Sequence, residues 1–322
     1  MRLITIDDFI DVYSKLRQRG LLFILSKLNF QNIKRTISSF NTVDLSSSNW
    51  WIIPKVIERW NEKITGNPNV EYEEYFVKKY LNNSKNLTML SLGSGDCSHE
   101  LEFARYPSFK EIICVDISNN KLEEAKNIAI NSGLNNIKFI LKDVSKLEFP
   151  ENYFDIVLFN HSLHHFKNIN ILLGKNIKNT LKDAGYIIIN EYTGANRLQF
   201  GKKQIIAINE SLNFINKKYR KKFKTNLYKN KIWGPGIIRM IFADPSESIE
   251  SEKIKSELEK NFKMIEEKPF GGNILMYALK DISHHFVELD LEKNKILQKI
   301  FDFEDDYLLK NSSDFLFAIY QK

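Results

Sequence analysis

The chain has 322 residues, 43% of them hydrophobic, and a formal net charge of +7, enough apolar material for a full α/β core with an accessory region. No run of about 18 apolar residues occurs, which excludes a transmembrane helix, and the only two cysteines, Cys97 and Cys114, lack the number and spacing of a disulfide framework or a zinc site. The opening MRLITIDDFIDVY carries acids where a secretory signal needs a basic then apolar stretch, so a cytoplasmic location is expected.

Residues 1–40 hold two amphipathic patterns, Phe9, Ile10, Tyr13, Leu16 and then Leu21, Leu22, Leu25, Leu28. They predict a helical cap packed on the body of the protein. Basic Arg17, Arg19, Lys27, Lys34 and Arg35 beside a GLLFIL run also permit peripheral contact with a membrane surface. Residues 38–49 are polar and predict a linker. The stretch 50–60 (WWIIPKVIERW) starts a helix through Pro54 and 72–81 makes another, with Trp50 and Trp51 as packing anchors rather than substrate platforms.

The run 87–96, LTMLSLGSGD, is an apolar stretch, a Gly-x-Gly turn and an acid, followed by a helical pattern at 99–104. A short apolar stretch bounded by glycine predicts a buried parallel strand. Gly93 and Gly95 let the backbone turn sharply and approach a nucleotide-like ligand, while the next helix offers unpaired N–H groups at its start. A plain tight strand-to-helix turn would carry the same residues.

Residues 112–115 form a second strand ending in Asp116, placed to accept hydrogen bonds from ribose hydroxyls. Ser118 then caps a helix with Leu122, Ala125, Ile128 and Ala129 apolar, which stops at Gly133. A third strand, 137–141, ends near Asp143, placed to contact an adenine amino group. Strand 154–159, helix 172–181 closed by Gly185, and strand 186–190 complete a β-α-β-α-β-α-β-α-β order.

Beyond the fifth strand, Ile205, Ile208, Leu212, Ile215 and Tyr219 share one helix face. From 211 to 243 there are nine Lys or Arg and no Asp or Glu, so the basicity is local and marks one anion-preferring site or a solvated face. Residues 244–262 predict a capped acidic helix, 262–268 a sixth strand, 274–285 and 291–309 further helices, and 313–320 (SDFLFAIY) a final strand. His284 and His285 have no neighbouring ligands and are read as surface or packing residues.

The strings LSLGSGD, ICVDIS, FILKDV, YFDIVLFNHSLHHF and LKDAGYIIINEY, in this order and spacing, resemble the S-adenosylmethionine-dependent methyltransferases of the Rossmann-like class over about residues 70–195. The resemblance implies an α/β, doubly wound seven-stranded sheet of order 3-2-1-4-5-7-6 with the last strand antiparallel. It implies an N-terminal helical cap or lid over residues 1–85 and a catalytic domain over 86–322, with 196–261 as a substrate-recognition insertion. S-adenosyl-L-methionine is the implied cofactor and S-adenosyl-L-homocysteine the product. Its implied binding residues are Gly93, Ser94, Gly95 and Asp96 in the glycine turn, and Asp116 and Ile117 after the second strand. Asp143 and Val144 after the third, and Asn160 and His161 after the fourth, complete the set. Cys97 stands where the family often has a third glycine. With WWIIP, NEYTGANR, DPSE and FGGN added, the chain is similar to bacterial methyltransferases of glycan and natural-product biosynthesis, which implies a small-molecule or sugar acceptor, methylated on O or N.

Methyl transfer from a sulfonium is mainly positioning and needs no metal, so none is expected. A hydroxyl or ammonium acceptor needs a proton acceptor. His164 or His165 is the candidate base, with Glu191 at the end of the fifth strand orienting it and His161 lining the cofactor, although any of the three imidazoles can instead pack or cap the turn. A nicotinamide dehydrogenase shares the glycine turn and ribose acid but wants Gly or Ala where this chain has Ser98. A nucleic-acid methyltransferase is permitted by the basic segment, yet NHSLHHF lacks the Asn/Asp-Pro-Pro-Tyr/Phe pattern of amino-methylating enzymes. A non-catalytic cofactor-binding subunit is disfavoured by the intact glycines and acids.

Overall fold

The computed structural model describes residues 1–21, 48–82 and 84–322. The apolar patterns at 22–28, the cations Lys27, Lys34 and Arg35 and most of the expected 38–49 linker lie outside the described residues.

One seven-stranded sheet organises the molecule. Its strands are β1 (Leu87–Leu92), β2 (Phe109–Asp116), β3 (Ile137–Leu141), β4 (Phe154–Asn160), β5 (Leu181–Tyr192), β6 (Lys263–Gly271) and β7 (Phe315–Gln321), in the order β3-β2-β1-β4-β5-β7-β6. The first five are parallel, and β7 runs antiparallel to both β5 and β6. This is the expected order, and the inserted antiparallel β7 departs from the 3-2-1-4-5-6 sheet of dinucleotide-binding dehydrogenases. The central strands are apolar throughout because both faces are covered: on β4 and β5, Ile156 and Ile188 join one core while Val157 and Ile187 join the other.

Loops at the carboxyl ends of β1, β2, β3 and β4 lie side by side, and the crevice outside them is where open α/β sheets hold ligands. Trp50 is buried with its ring edge-on to Trp60 at 4.6 Å, an anchor as expected, whereas Trp51 is exposed.

The first helix, α1 (Ile6–Arg19), overturns the expected orientation. Its buried residues are Asp8, Asp11 and Ser14, while Phe9, Tyr13 and Leu16 face outward. Distant cations decide this. Asp8 Oδ1 accepts from Arg239 Nε at 2.9 Å and from the Gly236 amide at 2.8 Å, and Asp11 pairs with Lys280 at 2.7 Å. These charges cannot be buried without partners, so the helix turns its acids inward.

The supposed acidic helix over 244–262 also differs. Only Ile254–Asn261 is α-helical; residues 244–250 form a loop in which Ser248 has φ +47°. Arg197 explains the difference, because its guanidinium donates to the carbonyls of Pro245 and Glu247 at 2.8 and 2.9 Å and takes them out of helix pairing. The expected helix over 274–285 is two pieces, Leu275–Leu279 and a turn at Ser283–His285. His284 and His285 bond Ser48 and the Lys221 carbonyl, which is packing.

Part of the basic segment is engaged within the chain, while Lys217, Lys221, Lys224 and Lys231 are exposed. Lys222 pairs with Asp281 and Lys218 with Glu292, Arg220 donates to the Ile215 carbonyl, and Arg239 holds α1. Lys229 is buried and donates to the carbonyls of Tyr277 and Lys280.

Candidate active site

A cavity of about 670 Å³ opens above the carboxyl ends of the strands, within the range of small-molecule sites. The glycine turn forms its floor. Gly93 has φ +71° and Gly95 φ +59°, the left-handed region that glycine enters without strain. A Cβ on Gly93 would stand 2.8 Å from Ser162 Cβ, so this position needs glycine for space as well as for conformation. Cys97 is also left-handed, at φ +56°, which accounts physically for glycine being usual there.

Asp116 faces this turn. Its Oδ2 accepts the Gly95 amide at 2.9 Å and its Oδ1 the Ser118 amide at 2.8 Å, which fixes the carboxylate in the cavity wall with further acceptor capacity on each oxygen. Asp143 accepts from the Ser145 amide and hydroxyl at 2.9 and 2.8 Å. Ser94, Asp96, Ile117, Val144, Asn160 and His161 all line the same cavity. Every residue expected to hold the cofactor is therefore brought together.

The fit can be tested on polar atoms. Asn190 Nδ2 donates to Asn160 Oδ1 at 2.9 Å, yet Asn190 Oδ1 and Ser162 Oγ, both buried, have no partner among the described residues. Ser162 Oγ, 3.5 Å from where a Gly93 Cβ would stand, is an orphaned acceptor beside the glycine cradle and suits a ligand with hydroxyl or amino donors. A nucleoside cofactor such as S-adenosylmethionine fits these residues.

The three histidines part company. His161, at φ +49°, stands on the cavity wall. His164 lies behind it, buried, with Nδ1 2.6 Å from Glu191 Oε2 and Nε2 3.8 Å from Glu247 Oε1. Burial alone would lower its pKa, but the two carboxylates outweigh burial and raise it. The same pair holds Glu191 below the usual carboxylate range despite burial. Glu191 Oε1 also accepts the amides of Ser162 and Leu163 at 2.5 and 2.6 Å, so this residue builds the turn after β4.

His165 lines the cavity, and its pKa is lowered by burial and by the neighbouring His164. Its Nδ1 is 3.1 Å from Ser246 Oγ. That hydroxyl gives its proton to Asp244 Oδ1 at 2.6 Å, so it accepts from His165 Nδ1–H, which assigns the lone pair of the neutral ring to Nε2.

Three residues here have metal-ligand chemistry. The ligand atoms of His164, His165 and Glu247 lie within 4.8 Å of one another, wider than the span of about 4 Å that ligand bonds of about 2 Å around one zinc ion allow, so the trio as it stands is not drawn in to zinc-ligand distances.

Other partners were not legible in the sequence. The loop 244–250 supplies Pro245, Ser246 and Ile249 to the cavity; Arg197 holds it on one side, while the Ile249 amide donates to the His164 carbonyl at 3.1 Å and Glu250 accepts the Ile169 amide at 3.1 Å. On the other flank Tyr72 Oη reaches Asn160 Oδ1 at 3.3 Å, and its ring stacks on His99, whose Nδ1 bonds the buried Glu73. Burial alone would lower the His99 imidazole, but Glu73 raises it to about 9. The helix preceding β1 is expected as part of a cap or lid, and nothing local in the sequence marks Tyr72 for this contact.

A family model described as "Methyltransferase domain" matches residues 83–304. The uncharacterized methyltransferase YcgJ of Bacillus subtilis is 26% identical over 104 residues, 32% of this chain and 40% of that protein. The ubiquinone/menaquinone biosynthesis C-methyltransferase UbiE of Rickettsia typhi is 26% identical over 170 residues, 49% of this chain and 67% of that protein. The match covers less than half the length of YcgJ and of the Stutzerimonas stutzeri UbiE, at 40% and 43%. Among solved structures, phosphoethanolamine N-methyltransferase 2 of Haemonchus contortus in complex with S-adenosyl-L-methionine aligns with TM-score 0.47 at 16% identity, over 84% of this chain and 57% of that one.

Proposed function

From the premise that this chain belongs to the methyltransferase domain family and is an S-adenosylmethionine-dependent methyltransferase, we propose that it methylates an oxygen or nitrogen of a small molecule or glycan-linked acceptor, with His165 as the proton acceptor. The observation that carries this is that His165, bonded to Ser246, lines the same cavity as the Gly93 turn.

The cofactor, when bound, supplies a sulfonium methyl carbon already activated for in-line attack. This chain's own residues do the rest. Gly93, Gly95, Asp116 and Asp143 orient the donor; the loop 244–250, pinned by Arg197, closes the acceptor side against water, which is where rate is gained in a positioning enzyme. The acceptor's proton passes to His165 Nε2. A lowered pKa keeps this ring neutral, and so competent as a base, at neutral pH. His164, whose pKa burial lowers but Glu191 and Glu247 raise on balance, acts in this proposal as a positioning residue, which divides the roles that sequence alone left open between the two histidines.

The elements before β1 and the insertion 196–261 serve in this proposal as lid and acceptor wall. The cavity size favours a small acceptor, and the engagement of Lys218, Arg220, Lys222 and Arg239 in contacts within the chain weakens the support for a nucleic-acid substrate.

Labelled S-adenosylmethionine incubated with a fractionated cell extract tests this, with the labelled product identified by mass spectrometry. The His165→Ala enzyme should transfer label about 10²-fold more slowly while binding S-adenosylhomocysteine as the parent does. With the true acceptor, an ordinary imidazole base loses activity below about pH 6.5; this one should hold activity further down. Near-parent turnover of His165→Ala across the pH range would show that positioning alone suffices.

A further inference from the structure

The orientation of α1 leaves an apolar face outward. Ile6, Phe9, Val12, Tyr13 and Leu16 lie on one stripe of the helix, from 38% exposed at Leu16 to 70% at Phe9. An amphipathic helix on a globular protein normally turns such a stripe to the core. Here the opposite face is fixed by Asp8, Asp11, Arg239 and Lys280, and Asp7 accepts the amides of Trp233 and Gly234 at 2.8 and 2.7 Å. The outward stripe is therefore built in by ion pairs on the other side of the helix.

The patch continues past the helix. The Ile237 amide donates to the Arg2 carbonyl at 2.8 Å and the Ile238 amide to the Leu3 carbonyl at 3.3 Å, which sets exposed Leu3 and Ile4 beside exposed Ile238 and Ile241. Contiguous apolar surface of this kind marks an interaction site. Charge identifies the partner. Residues 12–43 contain six Lys or Arg and no Asp or Glu, and the sequence after Gly20 continues as LLFIL. Among the described cations of this stretch Arg17 is the exposed one, and an apolar helix face in a basic stretch of sequence is the makeup of a helix that lies in the plane of an anionic bilayer.

We propose that the outward face of α1, with Leu3, Ile4, Ile238 and Ile241, docks on an anionic membrane surface, the apolar stripe entering the headgroup boundary and Arg17 at its edge meeting lipid phosphates. No helix among the described residues is long and apolar enough to cross a membrane, so the attachment is peripheral. It concerns where the enzyme works and is independent of the acceptor in the cavity.

The experiment is flotation of the full chain with vesicles of phosphatidylcholine alone or mixed with phosphatidylglycerol, beside the double variant Phe9→Ser/Leu16→Ser and the single variant Arg17→Glu. The parent should float at least tenfold better with phosphatidylglycerol, less so at high salt, and both variants should lose most of that gain while keeping the parent melting temperature and S-adenosylhomocysteine affinity. Failure of the parent to float overturns the proposal, as does flotation that the variants do not change. Two further outcomes overturn it by naming another occupant: a parent dimer in sedimentation that Phe9→Ser/Leu16→Ser splits points to a second copy of the chain. A large fall in that variant's melting temperature, with Arg17→Glu floating like the parent, points to residues 22–47 of the same chain. Should the double variant not fold, the Arg17→Glu result decides.

Discussion

Glu191 Oε2 lies 2.6 Å from His164 Nδ1 while its other oxygen accepts the Ser162 and Leu163 amides, so one buried carboxylate at the end of β5 fixes both the shape and the charge of the turn after β4. Glu191→Ala removes the partner of the buried His164 ring and of two buried amides. It should cost about 3–5 kcal/mol, the scale for breaking a buried ion pair, read from urea unfolding midpoints. A loss under about 1 kcal/mol would mean that water replaces the carboxylate and that the turn does not depend on it.

Cofactor binding rests on the glycine turn and Asp116. S-adenosylhomocysteine at ~100 times its dissociation constant should stabilise the parent by about 2.7 kcal/mol. Asp116→Ala should abolish most of the thermal shift, because the Gly95 amide and a ribose lose the same acceptor. Gly93→Ala should abolish it too, by the 2.8 Å approach to Ser162 and the positive φ. Stabilisation by NADH but not by S-adenosylhomocysteine would contradict the assignment.

Glu100, buried behind β1, accepts the Ser91 hydroxyl at 2.5 Å. Burial pushes its pKa up to about 7. The folded state therefore binds a proton more tightly than the unfolded chain, and the stability this group contributes is full below about pH 4.5 and lost as pH rises through 7. Glu100→Gln should flatten the melting temperature between pH 5 and 8 and raise it at pH 8. An unchanged pH slope would place the charge elsewhere.

Lys221 and Lys222 are adjacent in sequence and opposite in environment. Lys222 is buried 3.2 Å from Asp281, whereas Lys221 is exposed. Lys222→Glu buries like charges and should destabilise the fold by several kcal/mol; Lys221→Glu should leave stability within about 0.5 kcal/mol and turnover unchanged. Lowered turnover of a stable Lys221→Glu enzyme, relieved by salt, would restore the basic segment as an acceptor site.

Much of this protein was determined by local pattern in its sequence. Apolar runs ended by Gly93, Asp116, Asp143 and Asn160 specify strands and their ligand-facing ends, because burial on both faces and left-handed turns each demand particular residue types at particular places. The inserted β7 was legible through resemblance. Tertiary structure decided the rest. Whether the stripe of Phe9, Tyr13 and Leu16 faces the core depends on Arg239 and Lys280, more than two hundred residues away; periodicity reports that a helix has two faces and not which one finds partners. The loop 244–250 gave up a helical pattern to Arg197 in the same way, and the fold alone set His164 beside Glu191 and His165 on the cavity wall. Buried charges and backbone groups must be paired wherever the partners happen to fall, and that constraint acts between residues whose separation along the chain carries no signal.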